Sequence, residues 1–385
     1  MTRMLDSVSP HSAGRQPSSV DAQVTFTGER SDFRKLIVRG AWLELITVGF
    51  YRFWLATDMR RHLWSHTSVG GDSAEYTGRA RELLIGFLIA LAILVPIYIV
   101  YFLIGLEAER LQAFASVPLA LFLYLFGQFA IYRARRYRLS RTVWRGVLFW
   151  MTGSGWAYAW RAFAWGLLVL LTLGIAMPWR DAALERYKMR HSHYGNLQGH
   201  FEGRGFEYFK RAWWLWLLAW VSLVVPVLIP FVYAAYKGVQ WRWWISGVRF
   251  GDVRFDSDLG RNALQGLYWK VIGWVALVFT LLAAYVFMGL MLMETMTGKS
   301  LEALFTGKTV MDAMPIFVLF GIGYLVAILV INVIIRLYLM RDLWARVASS
   351  VTVHRLDAAA NVTVSGDLAS AVGEGFAGNL DVVGI

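Results

Sequence analysis

The residues with the types and spacing to do chemistry are five histidines and a few polar groups set among apolar neighbours. His62 and His66 stand four apart, on one face if Met59–His66 is helical; His191 and His193 stand two apart, on one face of a strand; His200 follows. Three imidazoles on an open site suit zinc or another borderline metal. No HExxH, no cysteine and no closely spaced carboxylate completes such a set, so no metal and no cofactor is assigned. Glu44 leads the second group, inside GAWLELITVG with Arg39 and Arg52 in the same stretch. Ionisable groups at membrane depth are functional candidates by default. The alternative is an interfacial helix whose arginines snorkel to the headgroups. Gln128, Arg161 and Asn332 complete the candidate intramembrane polar residues, with Asn332 able to act as glue between helices. No Walker A, GxSxG or dinucleotide fingerprint occurs, so no catalytic residue is assigned and an enzyme is the least supported class.

The elements that must position these groups are built for lipid. The chain has 385 residues, 57% hydrophobic and 17% charged, with a mean hydropathy of +0.48; soluble domains run at about 45–50% apolar and about 25% charged. Zero cysteines excludes a disulfide-stapled fold. A membrane helix needs about 20 mostly apolar residues, and seven blocks approach that. Six are strong: Leu83–Leu106, Ala113–Tyr132, Ala162–Trp179, Trp213–Tyr236, Val271–Met293 and Ala313–Ile335. The seventh, Leu36–Thr57, carries charges. The net charge of +12 gathers between blocks, as in Arg133–Arg145 with six Arg and no acid. The positive-inside rule puts the basic loops and the C-terminus in the cytoplasm. Strict alternation of seven crossings conflicts with that. Either segments 36–57, 162–179 and 213–236 are re-entrant or interfacial, or all seven cross and the rule is broken. Trp241, Trp243 and Trp244 beside Arg242 read as an interfacial anchor, not as a nucleic-acid surface.

The loops resemble one another. Thr47-x-Gly49, followed by Trp54, His66, Tyr76 and Gly78, recurs without a gap as Thr172-x-Gly174, Trp179, His191, Phe201 and Gly203. Partial copies lie at 141–153, 242–257 and 346–366, and Phe26-Thr27-Gly28 precedes the first block. Gly70-Gly71 signals a hairpin; SVTVH and NVTVS, at 350–354 and 361–365, alternate with period two and read as another. A lone hairpin is marginal in water, whereas three or more strands sharing an apolar face can be stable. The expected fold is therefore a mainly α-helical membrane protein. It is a polytopic bundle of up to seven membrane segments with a small cytoplasmic antiparallel β-layer made from the repeated loops. The expected domains are a disordered polar tail without an apolar signal region (1–23), one polytopic membrane domain (24–366) and a Gly-rich C-terminal tail (367–385).

TVGFYRFWLATDMRRHLW (47–64) followed by TSVGGDSAEYTGRARELLIG (67–86) resembles the YjgN-like family of bacterial inner-membrane proteins, a domain of unknown function. LTLGIAMPW with RYKMRHSHYGNLQGHFEG, and the ending GEGFAGNLDVVGI, fit the same pattern. The resemblance covers almost the whole chain from Val24 and implies a multi-pass protein of a bacterial inner membrane; it carries over no catalytic residue. The expected partners are the bilayer itself and anionic headgroups at the basic loops, each Lys or Arg there worth about 1 kcal/mol. Two functions follow as expectations. One is a carrier or channel for a small or amphiphilic substrate, motivated by repeated, Gly- and Pro-interrupted blocks around Glu44. The other is a non-catalytic scaffold that docks a partner on the β-layer.

Overall fold

A short strand of three to five residues stands on each side of every helical pair. The computed structural model describes residues 21–107, 112–298, 310–366 and 368–369. In chain order the elements are β1 (Ala22–Phe26), α1 (Arg30–Ile46), α2 (Arg52–Ser65), β2 (Thr67–Val69), β3 (Asp72–Tyr76), α3 (Ala80–Glu107), α4 (Gln112–Leu139), β4 (Thr142–Trp144) and β5 (Val147–Met151). There follow α5 (Gly155–Leu171), α6 (Met177–Arg190), β6 (Ser192–Tyr194), β7 (Leu197–Phe201), α7 (Gly205–Val224), α8 (Ile229–Gly247), β8 (Val248–Phe250) and β9 (Val253–Ser257). Last come α9 (Gln265–Thr297), α10 (Val310–Ile335), a π-helical stretch (Arg336–Asp342), α11 (Leu343–Ser349) and β10 (Val351–His354). The unit strand, two helices, strand thus occurs five times in succession.

The strands do not form a small layer beneath a purely helical bundle; they close into a ten-stranded antiparallel barrel in the order β1-β10-β9-β8-β7-β6-β5-β4-β3-β2. Closure is made by β1, which pairs β2 (Val24↔Val69, Phe26↔Thr67) on one side and β10 (Ala22↔Val353, Gln23↔Thr352) on the other. An open layer would leave two rows of unpaired backbone groups at its edges; a ring leaves none. Ala22 and Gln23, counted with the polar tail in the sequence, begin β1. The expected C-terminal hairpin also fails. After β10 the chain turns through Arg355, at φ 58°, into a short 3-10 helix (Leu356–Ala359), and 361–365 forms no strand. The rest of the N-terminal tail (1–20) and nearly all of the Gly-rich tail lie outside the described residues.

Antiparallel neighbours run alternately up and down the ring, so connectivity puts all five helical pairs at one end and the two-residue turns at the other. Inward side chains alternate with period two, as Val253 and Phe255 on β9 or Val351 and Val353 on β10, and they meet Trp144, Val147 and Tyr194 across the lumen. At the strand-to-helix corners an aromatic ring folds over the glycine two residues on. A Cβ at Gly78 would lie 2.5 Å from Tyr76 Oη, and one at Gly203 2.5 Å from Phe201 Cζ. The aromatic-x-Gly triplet is therefore a packing device.

Among the described residues four helices are long and apolar enough to cross a membrane: Ala80–Leu103, Val117–Leu139, Gln265–Met296 and Met314–Ser349. The other three apolar blocks are not single rods. Each breaks into two shorter helices, at 47–51, 172–176 and 225–228, whose far ends both return to the barrel rim. The tips of these short hairpins are apolar and exposed: Val48 87%, Leu171 81% and Val224 84%.

Candidate functional site

Helix α6 carries Asp181, Leu184, Glu185 and Lys188 at i, i+3, i+4 and i+7, which is one helix face. That face, the last two turns of α4 and the middle of α8 enclose a cavity of about 220 Å³ on the helical side of the barrel rim. Five cationic side chains line it (Arg135, Arg138, Arg180, Lys188 and Lys237) against two carboxylates, Asp181 and Glu185, with Gln240, Tyr158, Trp241 and Trp244 between them. Glu185 is buried between Lys188, with which it forms an ion pair, and Arg135, whose Nη1 lies 3.6 Å from Oε2. Burial alone would push its pKa up, but Lys188 and Arg135 prevail and hold the carboxyl below its usual range. Asp181 goes the other way. Burial raises it above the ordinary carboxylate value, although Arg180 contacts Oδ1 at 3.1 Å and Gln240 Nε2 donates to Oδ2 at 3.2 Å. Lys237 Nζ donates to Gln240 Oε1 at 2.9 Å and lies 5.7 Å from the centre of the Tyr233 ring. The cavity carries an excess of positive charge, and that excess grows wherever Asp181 takes up a proton.

An apolar groove of about 310 Å³ borders this cavity, walled by the start of α6, most of α7 and the first half of α8. The border falls within single helices. On α6, Met177 and Pro178 line the groove and Arg180 and Asp181 the cavity; on α8, Tyr233 and Tyr236 line the groove and Lys237 and Gln240 the cavity. Both helices descend toward the barrel, so the apolar half lies toward the hairpin tips and the charged half toward the rim.

The residues singled out in the sequence are dispersed. Glu44 does not reach the cavity: its two carboxylate oxygens accept from Arg336 Nη1 at 2.7 Å and Nη2 at 2.8 Å, tying α1 to the π-helical stretch. Asn332 Nδ2 donates to Ile328 O one turn back on its own helix, at 3.0 Å, instead of bridging two helices. Arg161 donates to Ala157 O at 3.2 Å and stacks over Tyr187, and Gln128 is half-buried on α4. The matched loop residues sit at helix breaks and in packing contacts. Gly49 and Gly174 sit in the helix breaks at φ 87° and 92°. Trp54 stacks on Tyr51 and Trp179 packs on Phe209. Tyr76 accepts from Arg60 beside Gly78, and Phe201 packs edge-on against Trp243 beside Gly203. His62 and His66 pack against each other with their rings tilted by 33° and their centres 4.2 Å apart, and His193 stacks on Trp150. Among the described residues no three His, Asp or Glu side chains converge as a metal would need.

In the sequence the charged residues of the cavity stand in basic loops and its tryptophans read as an interfacial anchor. The missed signal is the helical spacing of Asp181, Glu185 and Lys188, which puts charges of both signs on a face that also carries Leu184. No curated protein and no solved structure matches the chain. A model of bacterial proteins of unknown function (DUF898, the YjgN-like family) matches residues 21–239, from β1 into α8, and with more than half its length matched the chain belongs to that family.

Proposed function

We propose that this is a multi-pass protein of the bacterial inner membrane, with its barrel on the cytoplasmic side, that binds and carries an anionic amphiphile taken from the adjoining leaflet. The observation that carries the reading is the junction of the charged cavity with the apolar groove across α6 and α8. An amphiphile lying as it does in a bilayer would set its headgroup among Arg180, Lys237 and Arg135 and its chain against Trp213, Trp216 and Val232. Charge distribution supports the orientation. The arginines of α4 lie at its barrel end, where the positive-inside rule wants the cytoplasm. On this reading only the four long helices cross, and three blocks that turn back would remove the conflict posed by seven crossings. A partner docked on the barrel would have to do so without adding a strand, since a closed ring offers no edge.

Native mass spectrometry of the protein released from nanodiscs of equal parts phosphatidylglycerol and phosphatidylethanolamine tests the binding. Retained lipid should be enriched in phosphatidylglycerol, and Arg180→Met with Lys237→Met should reduce that enrichment about tenfold, equivalent to about 1.4 kcal/mol. Retained lipid of bulk composition in both proteins would refute the reading. Carriage is read separately, as movement of a fluorescent phosphatidylglycerol between leaflets of vesicles containing the protein.

A further inference from the structure

The barrel lumen is a second cavity, of about 290 Å³, which shares no lining residue with the charged one. Its walls are Val69, Ala74, Phe149, Leu197, Phe250 and Val253, among others contributed by strands all round the ring. Ten strands enclose more space than the roughly eight whose side chains just fill a barrel. The few polar groups on the walls are already bonded. Thr67 Oγ1 donates to Leu63 O and accepts from Trp344 Nε1, at 2.7 and 2.8 Å; Thr142 Oγ1 donates to Arg138 O and accepts from Trp64 Nε1, at 2.9 and 3.0 Å. Tyr194 Oη donates to Trp144 O at 3.1 Å, and Trp144 Nε1 to Asp72 O at 3.2 Å. The lumen therefore presents hydrocarbon and aromatic faces with no free donor or acceptor to recognise a charge.

Its two ends are closed differently. At the helical end the indoles of Trp64 and Trp344 stack, 4.8 Å between centres, each pinned to a threonine of a strand. At the turn end Leu356 and Ala359 cap the lumen. The chain beyond then reaches the turn between β6 and β7, where Thr363 N donates to Asn196 Oδ1 at 3.2 Å. Among the described residues this floor is one strap of chain, whereas the roof is built from three helix ends and their strands.

We propose that the lumen is a binding site for a small, uncharged, wholly apolar molecule, separate from the amphiphile site. An apolar cavity of about 150 Å³ is known to take up benzene, and this one, nearly twice as large, fits a molecule of about two aromatic rings or an equivalent hydrocarbon chain. The test uses the neutral photoreactive probe trifluoromethyl-(iodophenyl)diazirine on the full chain in nanodiscs, with adducts mapped by mass spectrometry. Lipid-facing residues of α3 and α9 should be labelled in proportion to probe concentration, which also reports an intact membrane fold. Phe149, Leu197 and Phe250 should be labelled with saturation, and Ala74→Phe or Val69→Phe, which fill the lumen, should abolish those adducts while leaving the helix adducts unchanged. Absence of lumen adducts in the native chain, or lumen adducts that rise without saturating or persist in both filled variants, would overturn the proposal. The Arg180 and Lys237 substitutions should leave lumen labelling as it is, so failure of either site is read independently of the other.

Discussion

Arg336 and Glu44 are each only 16% exposed and bind each other through two hydrogen bonds. Removing one member of such a pair strands a charge away from water, which typically costs about 3–5 kcal/mol, whereas removing both together costs far less. Arg336→Met should therefore lower the melting temperature sharply and the double variant Glu44→Gln/Arg336→Met should recover most of the loss, measured in one detergent by intrinsic fluorescence. The same pair shows what the sequence could tell. The embedded Glu44 was visible as an oddity, but its partner lies 292 residues away and no spacing rule connects them. Histidines give a pH test at this scale. Burial depresses both His62 and His193 below the ordinary 6.5, aided for the first by His66 and Arg341, and for the second against the opposing pull of a backbone hydrogen bond to His191. Below pH 6.5 the unfolded chain takes up protons that the folded chain refuses, so stability falls as pH falls through that value and is fully present above it. A stability profile from pH 8 to 5 should decline on the acid side, and His62→Gln with His193→Gln should flatten it.

The short hairpins are the elements that decide the architecture, and two of their three turns share a mechanism, the third being a 3-10 turn at Pro226–Leu228. Thr47 Oγ1 donates back to Leu43 O and accepts from Tyr51 N; Thr172 Oγ1 donates to Leu168 O and accepts from Ala176 N. The threonine thereby satisfies backbone groups on both sides of a break that lipid could not satisfy. Val48 and Leu173 take φ of 51° and 50°, and the glycines follow at 87° and 92°. A Cβ at Gly49 would meet nothing within 4 Å, so Gly49→Ala should cost only the left-handed backbone penalty, about 1–2 kcal/mol. At Gly174 the Cβ would also lie 3.2 Å from Trp216 Nε1, which donates to Leu173 O. Gly174→Ala should therefore destabilise more than Gly49→Ala in a matched thermal series. The Thr-x-Gly spacing was legible because it is local. The strands were only half legible: Gly70-Gly71 marked a turn, but runs such as Thr67–Val69 and Ser192–Tyr194 hold three residues each, too few for a period of two to register.

Across the whole molecule, ring closure depends on the two terminal strands finding each other, and neither carries a sequence mark of its partner. The family match ends at residue 239, and β8, β9 and β10 beyond it supply the pairs that complete the ring. Closure also fixes the position of the helical hairpins, because all five start and finish on one rim. On the proposed orientation, single cysteines at Ser73, Asn196 and Asp252, exposed at the turn end, should all react with an impermeant maleimide only in inside-out vesicles. A cysteine at Thr295, at the far end of α9, should react only in right-side-out cells. The decisive positions are the hairpin tips. If the broken blocks turn back within the bilayer, cysteines at Val48, Leu171 and Val224 should resist the reagent from both sides until detergent is added. Were those blocks to cross fully, residues beyond the breaks would open onto the far side, and Asn196 would label from the side opposite Ser73. The chain has no cysteine of its own, so each signal comes from one site, and labelling of Ser73 and Asn196 from opposite faces would dismantle both the single-rim barrel and the leaflet assignment of the amphiphile site.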